Sequence, residues 1–176
     1  MSMLDNARLM ARYNRWMNAK LYETAAKLPQ ETLEADRKAF FKSIVGTLNH
    51  IVVADILWLK RFAALPSEQT TLEAIRRMEA PTSLDQILYQ DFNRLAEHRR
   101  MLDAIIIAWA DGLNSDDFDR DLSYRSMKGI AANKPFSILV MHFFNHQTHH
   151  RGQASTLLSQ EGLDMGPTDL LAMAAT

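Results

Sequence analysis

The sequence predicts an all-α fold, a four-helix bundle with long crossover connections, and three observations carry the prediction. Apolar residues recur at steps of three, four and seven over four long stretches. Strand-type alternation is confined to Leu122 to Met127. Pro29, Pro66, Gly112, Pro135 and Gly162 punctuate the helical stretches where starts and stops belong. Each long helix then has roughly 20 to 30 residues, about 30 to 45 Å at the helical rise. A chain of 176 residues suits one domain, 1–176, able to bury a core without disulfides.

The first helix is expected over Leu4 to Leu28, with Leu9, Tyr13, Trp16, Met17, Leu21 and Leu28 as its stripe and Pro29 as its stop. The segment Gln30 to Phe41 has room for one short helical turn. A second long helix spans Ser43 to Ala63 on the stripe Ile44, Leu48, Ile51, Trp58 and Phe62, with Pro66 beyond its end. Another short helix is expected at Leu72 to Met78. The third long helix is expected to open at Ser83, where Ser83 and Gln86 have capping-box spacing, and to run through Leu88, Phe92, Leu95, Leu102 and Ile106 to Gly112. Asn114 to Lys134 is polar and rich in Asp, and its alternation suits either a short hairpin or an extended loop. The fourth long helix begins with Pro135 in its first turn and ends near Gln160, with Gly162 as C-terminal cap. The tail ends in the weakly amphipathic Leu170 to Ala175. The methionines and Trp16, Trp58 and Trp109 are read as core.

Charge and cysteine usage narrow the function. Lys plus Arg total 20 against 21 Asp plus Glu, a balance that speaks against nucleic acid as a partner. No stretch reaches the roughly 18 consecutive apolar residues of a membrane span. Met1 to Arg15 carries Asp5, Arg8, Arg12 and Arg15 with no apolar run, so it does not read as a signal peptide, and a cytoplasmic protein is expected. With no cysteine, a thiolate nucleophile and Cys-ligated metal sites are excluded. The six histidines are therefore the side chains that both ligate transition metals well and titrate near neutrality. No GxSxG elbow, phosphate-cradling glycine loop or HExxH motif is present.

Four histidines fall within nine residues of the fourth helix: His142, His146, His149 and His150. Residues four apart share a helical face, so His146 and His150 can present two imidazoles to one ion. A helical wheel groups Leu139, Phe143, His150, Ala154 and Leu157, with His146 at the edge, which points the pair toward the bundle interior. Buried imidazoles without partners would cost about 1–3 kcal/mol for each unsatisfied nitrogen, and a metal ion satisfies them. A third ligand must come from another helix. His50 flanks the apolar stripe of the second long helix and is the better candidate. His98 sits in the charged run Glu97, His98, Arg99, Arg100 and reads as part of a solvated face. Three imidazoles with an open fourth position describe a catalytic type of site, and zinc or nickel suits imidazole best. His142 and His149 are spare imidazoles able to act as a base. Asp55 reads equally as an acceptor for a ligand imidazole or as a salt-bridge partner of Arg or Lys. Arg151 reads as the partner of a carboxylate on another helix in preference to an anchor for an anionic substrate. Gly152 permits close helix packing.

Leu48-Asn49-His50-Ile51 with Asp55 and Trp58, followed by Asn145-His146 and His149-His150-Arg151-Gly152-Gln153, resembles the DinB family. This is the small metal-binding DinB/YfiT-like group, not the translesion polymerase that shares the name. Tyr13-Asn14-Arg15-Trp16-Met17-Asn18 resembles the family's first helix, so the likeness covers nearly the whole chain. The resemblance implies a bundle holding a divalent metal on three histidines, which map onto His50, His146 and His150, and it selects His50 over His98. It also implies a homodimer using the first or last long helices. Characterised superfamily members include low-molecular-weight-thiol S-transferases and a mycothiol-dependent maleylpyruvate isomerase. The function it implies is activation of such a thiol, or of water, for transfer to a small electrophile. The alternatives are a non-enzymatic metal-binding stress-response module and a bundle whose histidines are incidental.

Overall fold

The computed structural model describes residues 1–65 and 70–174. In chain order the elements are α1 (Met3–Ala25), α2 (Gln30–Glu34), α3 (Ile44–Phe62), α4 (Glu73–Arg77) and α5 (Phe92–Gly112). A 3-10 turn at Ser115–Asp119 leads into β1 (Asp121–Arg125), β2 (Ala131–Pro135), α6 (Phe136–Gln160) and α7 (Leu170–Ala174). Among the described residues the fold is thus helical, as the periodicity predicts, and of the two forms expected for the segment before α6 it takes the small hairpin. Pro66 and Ala175 lie outside the described residues. Among the described residues, no helix is long and apolar enough to cross a membrane.

The four long helices pack as a square. α1 lies against α5 and α6, and α3 lies against α6 and, less extensively, α5. Consecutive long helices α1 and α3 therefore sit across a diagonal, as do α5 and α6. The connections between them have to cross the bundle, which is why α2 and the hairpin occupy them. An aromatic cluster fills one end of the core: Phe62 stacks on Trp109 at 5.1 Å and meets Phe136 and Phe143 edge-on at 5.4 and 5.6 Å. In the hairpin, β1 and β2 run antiparallel, with Leu122 opposite Lys134, and Leu122 turns inward to the core.

Several elements differ from the sequence expectation. The third long helix opens at Asp91, whose Oδ1 accepts from the Arg94 backbone at 2.8 Å, not at Ser83. After a turn at 84–85, α3 takes the backbone of Leu88 and Tyr89, so no helix runs through 83–90. Asn49 Oδ1 accepts the N–H groups of Leu88 and Tyr89 at 2.9 and 3.0 Å, and its Nδ2 donates to the Tyr89 carbonyl. α1 ends at Ala25, three residues early, and starts on a capping box between Ser2 and Asp5. Its buried face is Ala7, Ala11, Asn14, Asn18, Leu21 and Tyr22, so Leu9, Tyr13 and Trp16 flank the core. Trp109 is the one fully buried tryptophan; Trp16 and Trp58 are half-buried, and Met1, Met101, Met127 and Met141 are exposed. α6 ends in a Schellman arrangement: the Leu163 and Gly162 N–H groups reach the Leu158 and Ser159 carbonyls, with Gly162 at φ +77°.

Candidate metal centre

His50 rides on α3, and His146 and His150 rise one turn apart on the flank of α6 that faces it. The three imidazoles converge. His50 Nε2 stands 3.2 Å from His146 Nε2 and 3.2 Å from His150 Nε2. His50 is buried, whereas His146 and His150 are half-buried, so the group sits at the rim of the α3–α6 seam. This corrects the wheel, which pointed the pair at the bundle interior. The centre of the buried face of α6 is Phe143, Gln147, Arg151 and Ala154, and two polar residues occupy it because the core holds hydrogen-bond partners for them.

Hydrogen bonds fix the outer nitrogens. His50 Nδ1 donates to the Leu84 carbonyl at 2.8 Å, and His150 Nδ1 donates to Gln153 Oε1 at 2.8 Å. A carbonyl oxygen only accepts, so each Nδ1 carries the proton and each Nε2 presents its lone pair. Phe41 stacks on the His50 ring at 3.8 Å between centroids and shields that face. The Phe41 backbone comes so near α3 that a Cβ on Gly46 would lie 2.1 Å from its carbonyl oxygen, so glycine is required there.

Protonation is disfavoured throughout the trio. Burial, and then the neighbouring imidazoles His150 and His50, push His146 down to about 3. Burial lowers His50 against the opposing pull of the Leu84 carbonyl and Asp55, and lowers His150 against Gln153. His50 and His150 aim their Nε2 lone pairs at the point where His146 Nε2 also lies, and a cation placed there would take all three. At Zn–N bonds of about 2.0–2.1 Å a tetrahedral ion spaces its ligand atoms by about 3.3–3.4 Å, close to the 3.2 Å spacings found. The donor set is compatible with metal binding, and His50, His146 and His150 form the one such group among the described residues.

The other singled-out residues lie outside the trio, although the His142 and His149 rings adjoin those of His146 and His150 at 5.9 and 4.8 Å. His98 is half-buried, not solvated: its Nδ1 lies 3.0 Å from the Tyr89 hydroxyl and the rings pack at 4.8 Å. His142 packs against Trp58 at 5.1 Å, and exposed His149 meets Gln153 Nε2 at 3.3 Å. Asp55 takes the salt-bridge role: Oδ2 accepts from Arg99 Nη1 at 2.5 Å, and Oδ1 accepts from Gln147 Nε2 at 2.6 Å. Arg151 touches neither a carboxylate nor the histidines; it donates to Asn14 Oδ1 and, at 3.2 Å, to Thr148 Oγ1.

These contacts belong to a buried polar network that the sequence reading missed. Arg99, placed there in a solvated face, is 1% exposed and pairs with Asp103 at 3.0 Å as well as Asp55. Asn18 Nδ2 donates to Asp103 Oδ1 at 2.8 Å. Burial acts to lower Arg99, but Asp103 and Asp55 overcome it and hold the guanidinium above its ordinary range. The same burial raises both carboxyls against the pull of Arg99. The available signals were the i,i+4 spacings of Arg99 with Asp103 and of Asn14 with Asn18.

The chain is thus a helical bundle with a three-histidine group compatible with a metal ion. The DinB family model matches residues 3–176, and the chain belongs to the DinB family. It is 25% identical over 169 residues to Protein DinB of Bacillus subtilis (strain 168), covering 95% of this chain and 92% of that one. Its fold is similar to the crystal structure of a DinB-like protein from Bacillus cereus ATCC 10987, with a TM-score of 0.59 at 20% identity over 94% of each chain.

Proposed function

We propose that His50, His146 and His150 hold one divalent ion, zinc or nickel, and that residues 1–176 act as one metal-dependent domain. The observation that supports this best is the convergence of three Nε2 atoms, two of them left as lone-pair donors by carbonyl acceptors on Nδ1. Bound there, the ion would lower the pKa of a thiol or water and present the anion to a small electrophile. The chain has no cysteine, so the thiol is a low-molecular-weight cosubstrate. Phe41 keeps water from one face of His50, and the exposed Phe40 and Leu84 beside it offer apolar surface to the electrophile. His142, whose ring adjoins that of His146 at 5.9 Å, is placed to accept the released proton in this reading, while burial and Arg61 lower its proton affinity. The active unit in this reading is a homodimer, for which Ile138 and Met141, 56% and 57% exposed and three residues apart on α6, supply an apolar face.

Elemental analysis of tag-free protein tests the site, with one equivalent of metal per chain expected. Turnover of chlorodinitrobenzene with glutathione, cysteine and other small thiols, together with ester hydrolysis, tests the chemistry. A metal-loaded protein inert in every assay would make the chain a non-enzymatic metal-binding module.

A further inference from the structure

A second feature lies on the opposite side of the square from the histidines. α1 and α5 border a half-open cleft of about 920 Å³, a volume typical of small-molecule sites. Its walls are apolar, with Trp16, Ala19 and Phe92 among them, and Met173 of α7 reaches its edge. Its floor is different. Asn18, Tyr22 and Arg99 line it while being only 1%, 7% and 1% exposed. Asn18 Oδ1, Tyr22 Oη and Arg99 Nε have no hydrogen-bond partner. Three unpartnered polar groups in one place are uncommon in a folded core, where such groups are nearly always satisfied. An acceptor beside two donors is the complement of a neutral hydroxyl, which both gives and takes a hydrogen bond.

Charge orients the ligand. An anion at the floor would meet Asp103 and, beyond Arg99, Asp55. The rim carries Arg12, Arg15 and Arg100 against the single carboxylate of Glu23. Arg12 is taken by Asp111 at 3.0 Å. Arg15 and Arg100 are exposed and make no ion pair among the described residues.

We propose that the α1–α5 cleft is a second ligand site, taking an amphipathic hydroxy acid: carboxylate at Arg15 and Arg100, apolar chain along the alanine-lined walls, hydroxyl toward Asn18, Tyr22 and Arg99. The site is independent of the metal, because no residue of the histidine trio lines the cleft.

Calorimetric titration with 10-hydroxydecanoate tests it, with decanoate as the control. One equivalent should bind with a Kd on the order of 10–100 μM, the range open to a ligand of about a dozen heavy atoms. Decanoate should bind several-fold more weakly, and Tyr22→Phe should narrow that difference. Arg15→Ala with Arg100→Ala should weaken both acids about tenfold or more. Ala19→Trp and Ala104→Trp, each at an exposed wall position, should fill the cleft and abolish binding while helicity and metal content stay unchanged. His50→Ala should bind the acid as well as the parent, so a failed metal assignment would leave this result standing. Absence of saturable binding, or binding unmoved by both tryptophans and by the arginine pair, would overturn the proposal. Sedimentation showing that either tryptophan splits a dimer would overturn it too, by making the cleft an interface between copies.

Discussion

Replacing Arg99 with Leu removes the cation on which two buried carboxylates depend. Asp55 is 1% exposed and Asp103 is 4% exposed, so water cannot take its place. Breaking a buried pair by deleting one partner costs about 3–5 kcal/mol, because an uncompensated charge remains behind. Here two carboxylates lose their direct partner, and Arg151, held by Asn14 and Thr148, is not positioned to replace it. Set against a typical total stability of about 5–15 kcal/mol, that loss removes a large fraction of the margin. In urea, with a slope of about 2 kcal/mol per molar for a chain of this size, the midpoint at pH 7 should fall by about 2 M. Adding Asp55→Asn to Arg99→Leu should return about 1–3 kcal/mol, since an amide needs no countercharge and still accepts from Gln147. Alone, Asp55→Asn should destabilise, giving a double-mutant cycle with strong coupling. A loss below about 1 kcal/mol for Arg99→Leu, or two substitutions that simply add, would refute the claim that these charges hold the core as one unit.

Four further outcomes follow from the geometry. His50→Ala should lose stoichiometric metal, while His98→Ala, remote from the trio, should keep one equivalent by elemental analysis. Stability of the chelated protein should be full above about pH 6.5, the unfolded imidazole value. It should fall as the pH drops toward the folded His146 value of about 3, because the unfolded chain takes up protons that the folded trio refuses. Discounted for screening at the half-open rim, His146 alone contributes about 1–2 kcal/mol of that loss by pH 5, measurable by urea titration across pH. Gly46→Ala should push Phe41 off His50, costing about 1–3 kcal/mol in denaturation and weakening metal binding together. Ile138→Asp with Met141→Asp should convert the proposed homodimer to monomer in sedimentation, with circular dichroism unchanged.

The parts of this fold legible in the sequence are those written by period and punctuation. The four long helices and the short helices α2 and α4 declare themselves through apolar spacing or Pro and Gly, and alternation marks the place of the hairpin. What escapes is whatever a side chain imposes across the chain. Gln86 does reach back locally, its Oε1 accepting from the Thr82 hydroxyl and its N–H donating to the Ser83 carbonyl, but Asn49 on α3 takes the backbone at 88–89 and forbids a helix there. On α1 the expected Met17 and Leu21 are buried, but the rest of the core stripe is built from small and polar residues, which weigh little in a hydrophobic count, so Leu9, Tyr13 and Trp16 flank it. Glu97-His98-Arg99-Arg100 looks uniformly charged, yet Arg99 alone turns inward, since Asp103 one turn on and Asp55 across the bundle await it. The spacing of His146 and His150 was legible. Its partners Leu84, Phe41 and Gln153 were not, because two of them act through backbone or ring position rather than residue type.

The buried network and the histidines are best understood as two answers to one problem on α6. That helix places Gln147 and Arg151 in the core, each next in sequence to a histidine at the rim. Side chains one residue apart diverge by about 100°. Holding Gln147 on Asp55 and Arg151 on Asn14 therefore fixes the rotation of α6 about its axis, and with it the direction in which His146 and His150 point. An apolar face would pack as tightly but permit small rotations, and a few degrees would be enough to spread nitrogens now 3.2 Å from His50. Directional bonds to charged partners tolerate no such slippage. The polar core thus sets the azimuth of the helix, while the Leu84 carbonyl and Gln153 set the tautomers. Together they hold three Nε2 atoms at one point where protons are refused.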